Sequence, residues 1–233
     1  MIHKNILITG GAGFVGSNLA IKLKADYPKL KITCLDNLKR RGSELALPRL
    51  RSAGVDFMHG DIRNPEDLEV KRVDLIIECS AEPSVLAGIN SSPAYVINTN
   101  LSGTVNCLEV ARKHQADFLF LSTSRVYPMN QLNQLKYKES PTRFELLDKQ
   151  PLPGASSRGI SEQFPLEGTR SFYGATKLAS ELIVNEYLDN YNVRGIINRC
   201  SVVTGPWQMG KVDQGVFVLW VAKHYYKKDL AYI

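Results

Sequence analysis

The chain has 233 residues, 22% charged and 44% hydrophobic, and its 29 Lys plus Arg against 23 Asp plus Glu give a formal charge of +6. That length holds one substantial core, or one domain and part of another. The positive excess is spread along the chain, which points to anionic small molecules and away from nucleic acid, and no apolar run approaches the roughly 20 residues needed to span a membrane.

Ile6, Leu7 and Ile8 form the first short apolar run, with no signal peptide ahead of it. Thr9-Gly10-Gly11-Ala12-Gly13-Phe14-Val15-Gly16 comes next, and helix-forming sequence runs from Ser17 to Lys24. Strand, glycine turn and helix in that order cradle a dinucleotide pyrophosphate. Gly10 allows the tight turn, Gly13 lets main chain approach the phosphates, and Gly16 lets helix and strand pack closely. Asp36 closes the run Ile32-Thr33-Cys34-Leu35, 20 residues beyond Gly16, where an acid binds the ribose hydroxyls of NAD. NADP is disfavoured there because a carboxylate repels a 2′-phosphate. Lys39, Arg40 and Arg41 come next, and read either as a solvated loop or as neighbours of the adenine.

Val55 to Met58 reads as a third strand ending at Gly60-Asp61, and Val73 to Cys79 as a fourth. A long helix is predicted from about Ala94 to His114, with Val96, Leu101, Val105 and Leu108 near helical spacing. Asp117 to Leu121 is a fifth strand, ending in Ser122-Thr123-Ser124. Residues 128–170 read as a long irregular stretch rich in Pro, Gln, Ser and Gly, either a functional or mobile loop or a disordered insert. A second long helix is predicted over Phe172 to Tyr191 and a sixth strand over Val193 to Cys200. Short apolar strands alternating with helices predict an α/β, doubly wound parallel sheet, with residues 1–200 as a Rossmann-type nucleotide-binding domain and 201–233 as the start of a further, substrate-side region. The final Leu230-Ala231-Tyr232-Ile233 looks like the start of a strand, so truncation is expected. The four cysteines, Cys34, Cys79, Cys107 and Cys200, show neither metal nor disulfide spacing and read as buried thiols in a reducing cytoplasm.

The second long helix opens with Tyr173-Gly174-Ala175-Thr176-Lys177, and i, i+4 spacing puts Tyr173 and Lys177 on one face. A free tyrosine, with a pKa of about 10, is a poor base at neutral pH. An ammonium one turn away and a positive nicotinamide ring would stabilise the phenolate. Such a tyrosine takes a hydroxyl proton while hydride leaves for the nicotinamide.

Taken together, the glycine motif, Asp36-Asn37-Leu38, Asp61-Ile62, Asn100, Ser122 to Tyr127 and Tyr173 to Lys177 resemble the extended short-chain dehydrogenase/reductase family over essentially the whole chain. The resemblance implies a bound NAD contacted by Gly10, Gly13, Phe14, Val15, Gly16, Asp36, Asn37, Asp61, Ile62, Ser80, Ala81, Asn100, Ser122, Tyr173, Lys177 and Val203. It implies Thr123, Tyr173 and Lys177 as the catalytic set, and a C-terminal substrate region largely missing here. Family 4,6-dehydratases carry Asp-Glu after the catalytic threonine, and family decarboxylases keep a glutamate; here the positions hold Ser124 and Arg125. Without those carboxylates, elimination lacks its proton-transfer groups, whereas oxidation and re-reduction do not need them. Ser80 to Gly88 and Gly205-Pro206-Trp207-Gln208-Met209-Gly210-Lys211 look like the CDP-tyvelose (CDP-paratose) 2-epimerase branch. That implies a CDP-hexose substrate touched by Glu82, Ser124, Gln208 and Lys211, a place in O-antigen sugar synthesis, a homo-oligomer, and no metal, nucleic-acid or membrane partner. A 4-epimerase, a net oxidoreductase and a non-catalytic NAD-binding regulator stay open as rivals.

Overall fold

The computed structural model describes residues 2–210 and 215–230. In chain order its elements are β1 (Asn5–Thr9), α1 (Phe14–Asp26), β2 (Lys31–Asp36), α2 (Ala46–Ser52), β3 (Asp56–His59), β4 (Leu75–Glu78), α3 (Ala94–Ile97), α4 (Gly103–His114), β5 (Asp117–Thr123), α5 (Met129–Leu132), β6 (Tyr137–Ser140), β7 (Arg143–Leu146), β8 (Ala155–Ser156), β9 (Gly159–Ile160), α6 (Phe172–Asn190), β10 (Gly195–Cys200) and α7 (Val216–Tyr225). Six strands form one sheet in the order β10-β5-β4-β1-β2-β3, and every adjacent pair is parallel. Ile8 is in register with Cys34 on one side and Ile77 on the other.

Successive strand residues face opposite ways, and both faces are apolar because helices cover both. Leu7, Leu35, Ile76, Phe118 and Phe120 pack with Cys107, Leu108 and Ala111 of α4 and Val184 of α6. Ile6, Ile8, Ile32, Cys34 and Ile77 pack with Ala20 of α1 and Leu50 of α2. The strand order reverses between β1 and β4, and a sheet of this kind opens its ligand crevice at the carboxyl ends of the strands there.

Two predicted elements are corrected. The helix expected over 94–114 is interrupted: α3 ends at Ile97, a π turn spans Asn98 to Ser102, and α4 starts at Gly103. The π turn coincides with the step from Val96 to Leu101, where the apolar spacing lengthens to i, i+5. Residues 128–170 are not irregular throughout. They hold α5 and two antiparallel hairpins, β6–β7 and β8–β9. Val126, Tyr127 and Phe164 form a small core with Leu132, Leu152, Leu166 and Leu178, in which the Tyr127 and Phe164 rings meet edge-on at 5.6 Å. Gly154, at φ +72°, turns the chain where Phe164 leaves no room for a side chain; the Pro and Gly that suggest disorder are turn residues.

All four cysteines are free. No helix among the described residues is long and apolar enough to cross a membrane. The tail residues 231–233 and Lys211 lie outside the described residues.

Candidate active site

The β1–α1 turn shows what its glycines are for. Gly10 has φ +64°, and a Cβ there would stand 2.8 Å from the main chain of Cys79 and Ser80. The turn is therefore pressed against the end of β4, a fit only glycine permits. The Gly13 amide donates to the Gly10 carbonyl at 3.0 Å, and a side chain on Gly16 would run into that same oxygen. Gly13 caps α1 with no side-chain bond, and no acid occupies the first turn. The amides of Phe14, Val15 and Gly16 thus open a cradle for an anion at the positive end of the helix.

Asp36, at the end of β2, accepts from the amides of Ala12 (3.1 Å) and Leu38 (2.8 Å). Burial raises its pKa and the amides of Leu38, Ala12 and Gly13 oppose this. The carboxylate is held between the glycine turn and the next loop, where it can take ribose hydroxyls. Asn37 donates to Asp61 at 2.8 Å, and Arg63 binds Asp61 at 2.6 and 2.9 Å. The Arg63 hydrogen bond leads in holding Asp61 well below the usual carboxylate range. Ile62 is buried, and a side chain on Gly103 would strike it. Lys39 and Arg63 both stack on Tyr95, at 3.4 and 4.9 Å, and Arg40 donates to the Met209 carbonyl at 3.0 Å. Lys39 and Arg40 are therefore placed groups, not a free loop.

Ser80, Ala81 and Glu82 leave β4 beside the π turn. Asn100, fully buried, accepts from the Glu82 amide at 2.8 Å and donates to the Glu82 carbonyl (3.1 Å) and to Thr176 (3.2 Å). Its own carbonyl accepts from Thr104 and Ser180, each at 2.8 Å. One side chain and its main chain so tie the β4 loop to α4 and α6. Glu82 accepts from the Ser84 amide at 3.2 Å, which folds its carboxylate back on its own loop.

Tyr173 lies in the first turn of α6, which Ser171 caps by accepting from the Gly174 amide at 3.2 Å. Gly174 packs against the Arg125 carbonyl with no room for a side chain. Thr123 ends β5 and accepts from the Arg125 amide at 3.1 Å, and its hydroxyl lies near enough to the Tyr173 phenol to favour the phenolate. Tyr173 and Lys177 lie one turn apart on α6, with Thr123 at the end of β5. The expected lowering of the phenol by Lys177 is not seen in this form: burial dominates and raises the Tyr173 pKa, with the Thr123 hydroxyl pulling it back. The Lys177 side chain is 2% exposed, and its Nζ lies 3.9 Å from Glu78 Oε2 and 3.9 Å from the centre of the Phe120 ring. Burial lowers its pKa and Glu78 opposes that.

Other placements depart from expectation. Ser122 is buried and donates its hydroxyl to Glu181, so it is engaged away from the cradle. Both Glu181 oxygens are in turn gripped by Arg199, at 2.7 to 3.1 Å, and Arg199 reaches the Tyr127 hydroxyl at 3.3 Å. Glu78 and Glu181 are buried charges that sequence reading passes over. Glu78 has a visible sign, a carboxylate ending the apolar run Leu75-Ile76-Ile77; Glu181 sits one turn beyond Lys177. Val203 is exposed. Gln208 accepts from Thr204 at 2.8 Å and donates to the Val203 carbonyl at 3.3 Å, so it is occupied within its own turn. That turn packs on the cradle side: Asn18 of α1 donates to the Pro206 carbonyl at 3.0 Å, and the Arg49 guanidinium lies 4.2 Å over Trp207. Ser124 is partly buried in the short turn after Thr123.

The model of the NAD dependent epimerase/dehydratase family matches residues 6–233. A CDP-paratose 2-epimerase of Salmonella typhi is 32% identical over 217 residues, covering 90% of this chain and 60% of that protein. A dTDP-glucose 4,6-dehydratase of Mycobacterium tuberculosis is 28% identical over 205 residues, covering 87% and 54%. The crystal structure of UDP-glucose 4-epimerase from Thermus thermophilus in complex with NAD superposes with a TM-score of 0.72 at 25% identity, covering 97% of this chain and 64% of that one. The chain thus spans little more than half the length of the relatives it matches.

Proposed function

The chain belongs to the NAD-dependent epimerase/dehydratase family, and from that premise we propose that it carries the cofactor-binding and catalytic residues of a nucleotide-sugar 2-epimerase converting CDP-paratose to CDP-tyvelose. NAD is the cofactor of this family. The glycine cradle, the open amides of α1 and the Asp36 carboxylate fit a dinucleotide whose ribose carries free hydroxyls. When bound, NAD supplies the hydride acceptor and donor.

The observation that carries the reading is the identity of the two residues after Thr123. Ser124 and Arg125 occupy those positions, and neither is a carboxylate. Elimination of water needs a positioned acid and a base on adjacent carbons. Inversion through a ketone needs one group that takes a hydroxyl proton and returns it. Tyr173, with the Thr123 hydroxyl near it, is that group. Thr123 orients the reacting oxygen, Tyr173 removes its proton and later restores it, and Lys177 supplies positive charge and a donor for the ribose. The 32% identity to a CDP-paratose 2-epimerase supports carbon 2 and a cytidine nucleotide. The likeness to a UDP-glucose 4-epimerase favours inversion at carbon 4 as a second reading.

Both readings are tested by incubating the protein from its complete reading frame with CDP-paratose and following the sugar by proton NMR. The expected result is inversion at carbon 2 with no accumulation of NADH. Tyr173→Phe is expected to slow turnover by about 10²–10⁴-fold while NAD still co-purifies in near-equal amount. Undiminished turnover in that variant, or NADH building up with product, overturns the proposal.

A further inference from the structure

Lys177 lies between β4, β5, β10 and its own helix, almost wholly buried. A lysine so placed loses its proton unless an anion stays beside it. Five titratable groups face it or its immediate neighbours. Cys79 at the end of β4 and Cys107 of α4 are thiols that burial pushes up, so they carry no charge. Cys200 of β10 is a further thiol. Tyr173, one turn earlier on α6, is a phenol that burial holds neutral. Glu181, one turn later, has both oxygens gripped by Arg199.

Glu78 is the remaining acid: burial pushes its pKa up, and Lys177 is the chief group opposing that. It is 0% exposed, and its Oε2 lies 3.9 Å from Lys177 Nζ. Its other neighbour, the Thr104 hydroxyl, stands 3.3 Å from Oε2 but only 2.8 Å from the Asn100 carbonyl. The hydroxyl has one proton to give, and the nearer carbonyl takes it. Glu78 Oε1 has no hydrogen-bond partner among the described residues. A fully buried carboxylate with one oxygen unpartnered is poor for stability. An apolar residue would simply continue Leu75, Ile76 and Ile77, so the carboxylate points to a task other than packing.

We infer that Glu78 is a positioning residue, the counter-ion that keeps Lys177 an ammonium beneath the site. The inference rests on the reading of Lys177 given above only for its consequence: a charged Lys177 donates to the cofactor ribose and supports the phenolate of Tyr173. Its charge can be read without substrate or cofactor.

The test labels lysine Nζ with ¹⁵N in the full chain, assigns Lys177 by its absence in Lys177→Met, and follows its signal with pH in wild type and in Glu78→Gln. Wild type is expected to hold the ammonium through neutral pH. In Glu78→Gln burial acts unopposed, so the ammonium is lost at lower pH, the midpoint falling by a unit or more, about tenfold in the proton equilibrium. NAD affinity, measured by calorimetry, is expected to fall about tenfold above the new midpoint and recover below it. Glu78→Asp, which keeps the charge, restores the wild-type behaviour. An unchanged midpoint in Glu78→Gln overturns the inference. If Glu78→Gln does not fold, wild type decides alone: a Lys177 already neutral at about pH 7 overturns it, and an ammonium there sustains it. Full turnover in Lys177→Met would instead overturn the catalytic reading and leave the charge measurement standing.

Discussion

Around Gly10, Gly13 and Gly16 the binding surface is main chain, shaped by the space that absent side chains leave. Beneath Tyr173 and Lys177 the surface is side chain: Glu78 and Glu181 are buried, Arg199 is half-buried, and the pairs join strands to α6. The first region draws its positive potential from amides, which do not titrate. The second draws it from ionisable groups in a dry interior, where each charge depends on its partner. The amides' share of dinucleotide binding is thus independent of pH, while the share of Lys177 and the chemistry itself depend on proton balance.

The comparison breaks most severely at Glu181. Glu181→Leu leaves Arg199 and Ser122 without their partner, and losing one member of a buried pair costs about 3–5 kcal/mol; a fall of that size in urea unfolding is expected. Arg199→Met made on top of it should recover part of the loss, since the unpaired charge is then gone. In the cradle, Gly16→Val drives a side chain against the Gly10 carbonyl. A forced overpacking of this kind costs about 1–3 kcal/mol, and here it falls on the phosphate-binding turn, so NAD titrations should show weaker binding even where the variant stays folded. The smallest effect is expected at Trp207→Ala, which removes a stacking partner of Arg49 worth about 0.5–1 kcal/mol at an exposed site. Thermal melting should register it with Tyr173-dependent turnover intact.

Much of this is legible in the sequence. The glycine turn, Asp36 and the Tyr173–Lys177 pair are encoded in contiguous residues whose spacing is itself the geometry. The central strands can be read because each is a short apolar run covered on both faces; the edge strands β3 and β10 are more exposed. What cannot be read is long-range. Glu78 and Lys177 stand 99 positions apart by their numbering, and no local pattern joins them. Glu181 looks like an ordinary exposed helix acid until Arg199 is folded against it from β10. The π turn at Asn98–Ser102 leaves only one i, i+5 step in the apolar pattern, yet it aims Asn100 at both the β4 loop and α6. The unusual motif around Gln208 suggests a substrate contact; in the fold its amide closes its own turn.

The clasp of residues 206–209 on Asn18 and Arg40 has a bearing on the order of assembly. Its bonds join residues 188 and 169 positions apart in the chain. During synthesis the glycine turn emerges well before its outer wall, so the nascent cradle waits open on one side. Once β10 has paired with β5, the segment left to close is the short run after Cys200, and loop-closure entropy grows with the length of that run, not with the separation along the whole chain. Pairing of β10 with β5 thereby brings the outer wall of the nucleotide site within short reach of the glycine turn.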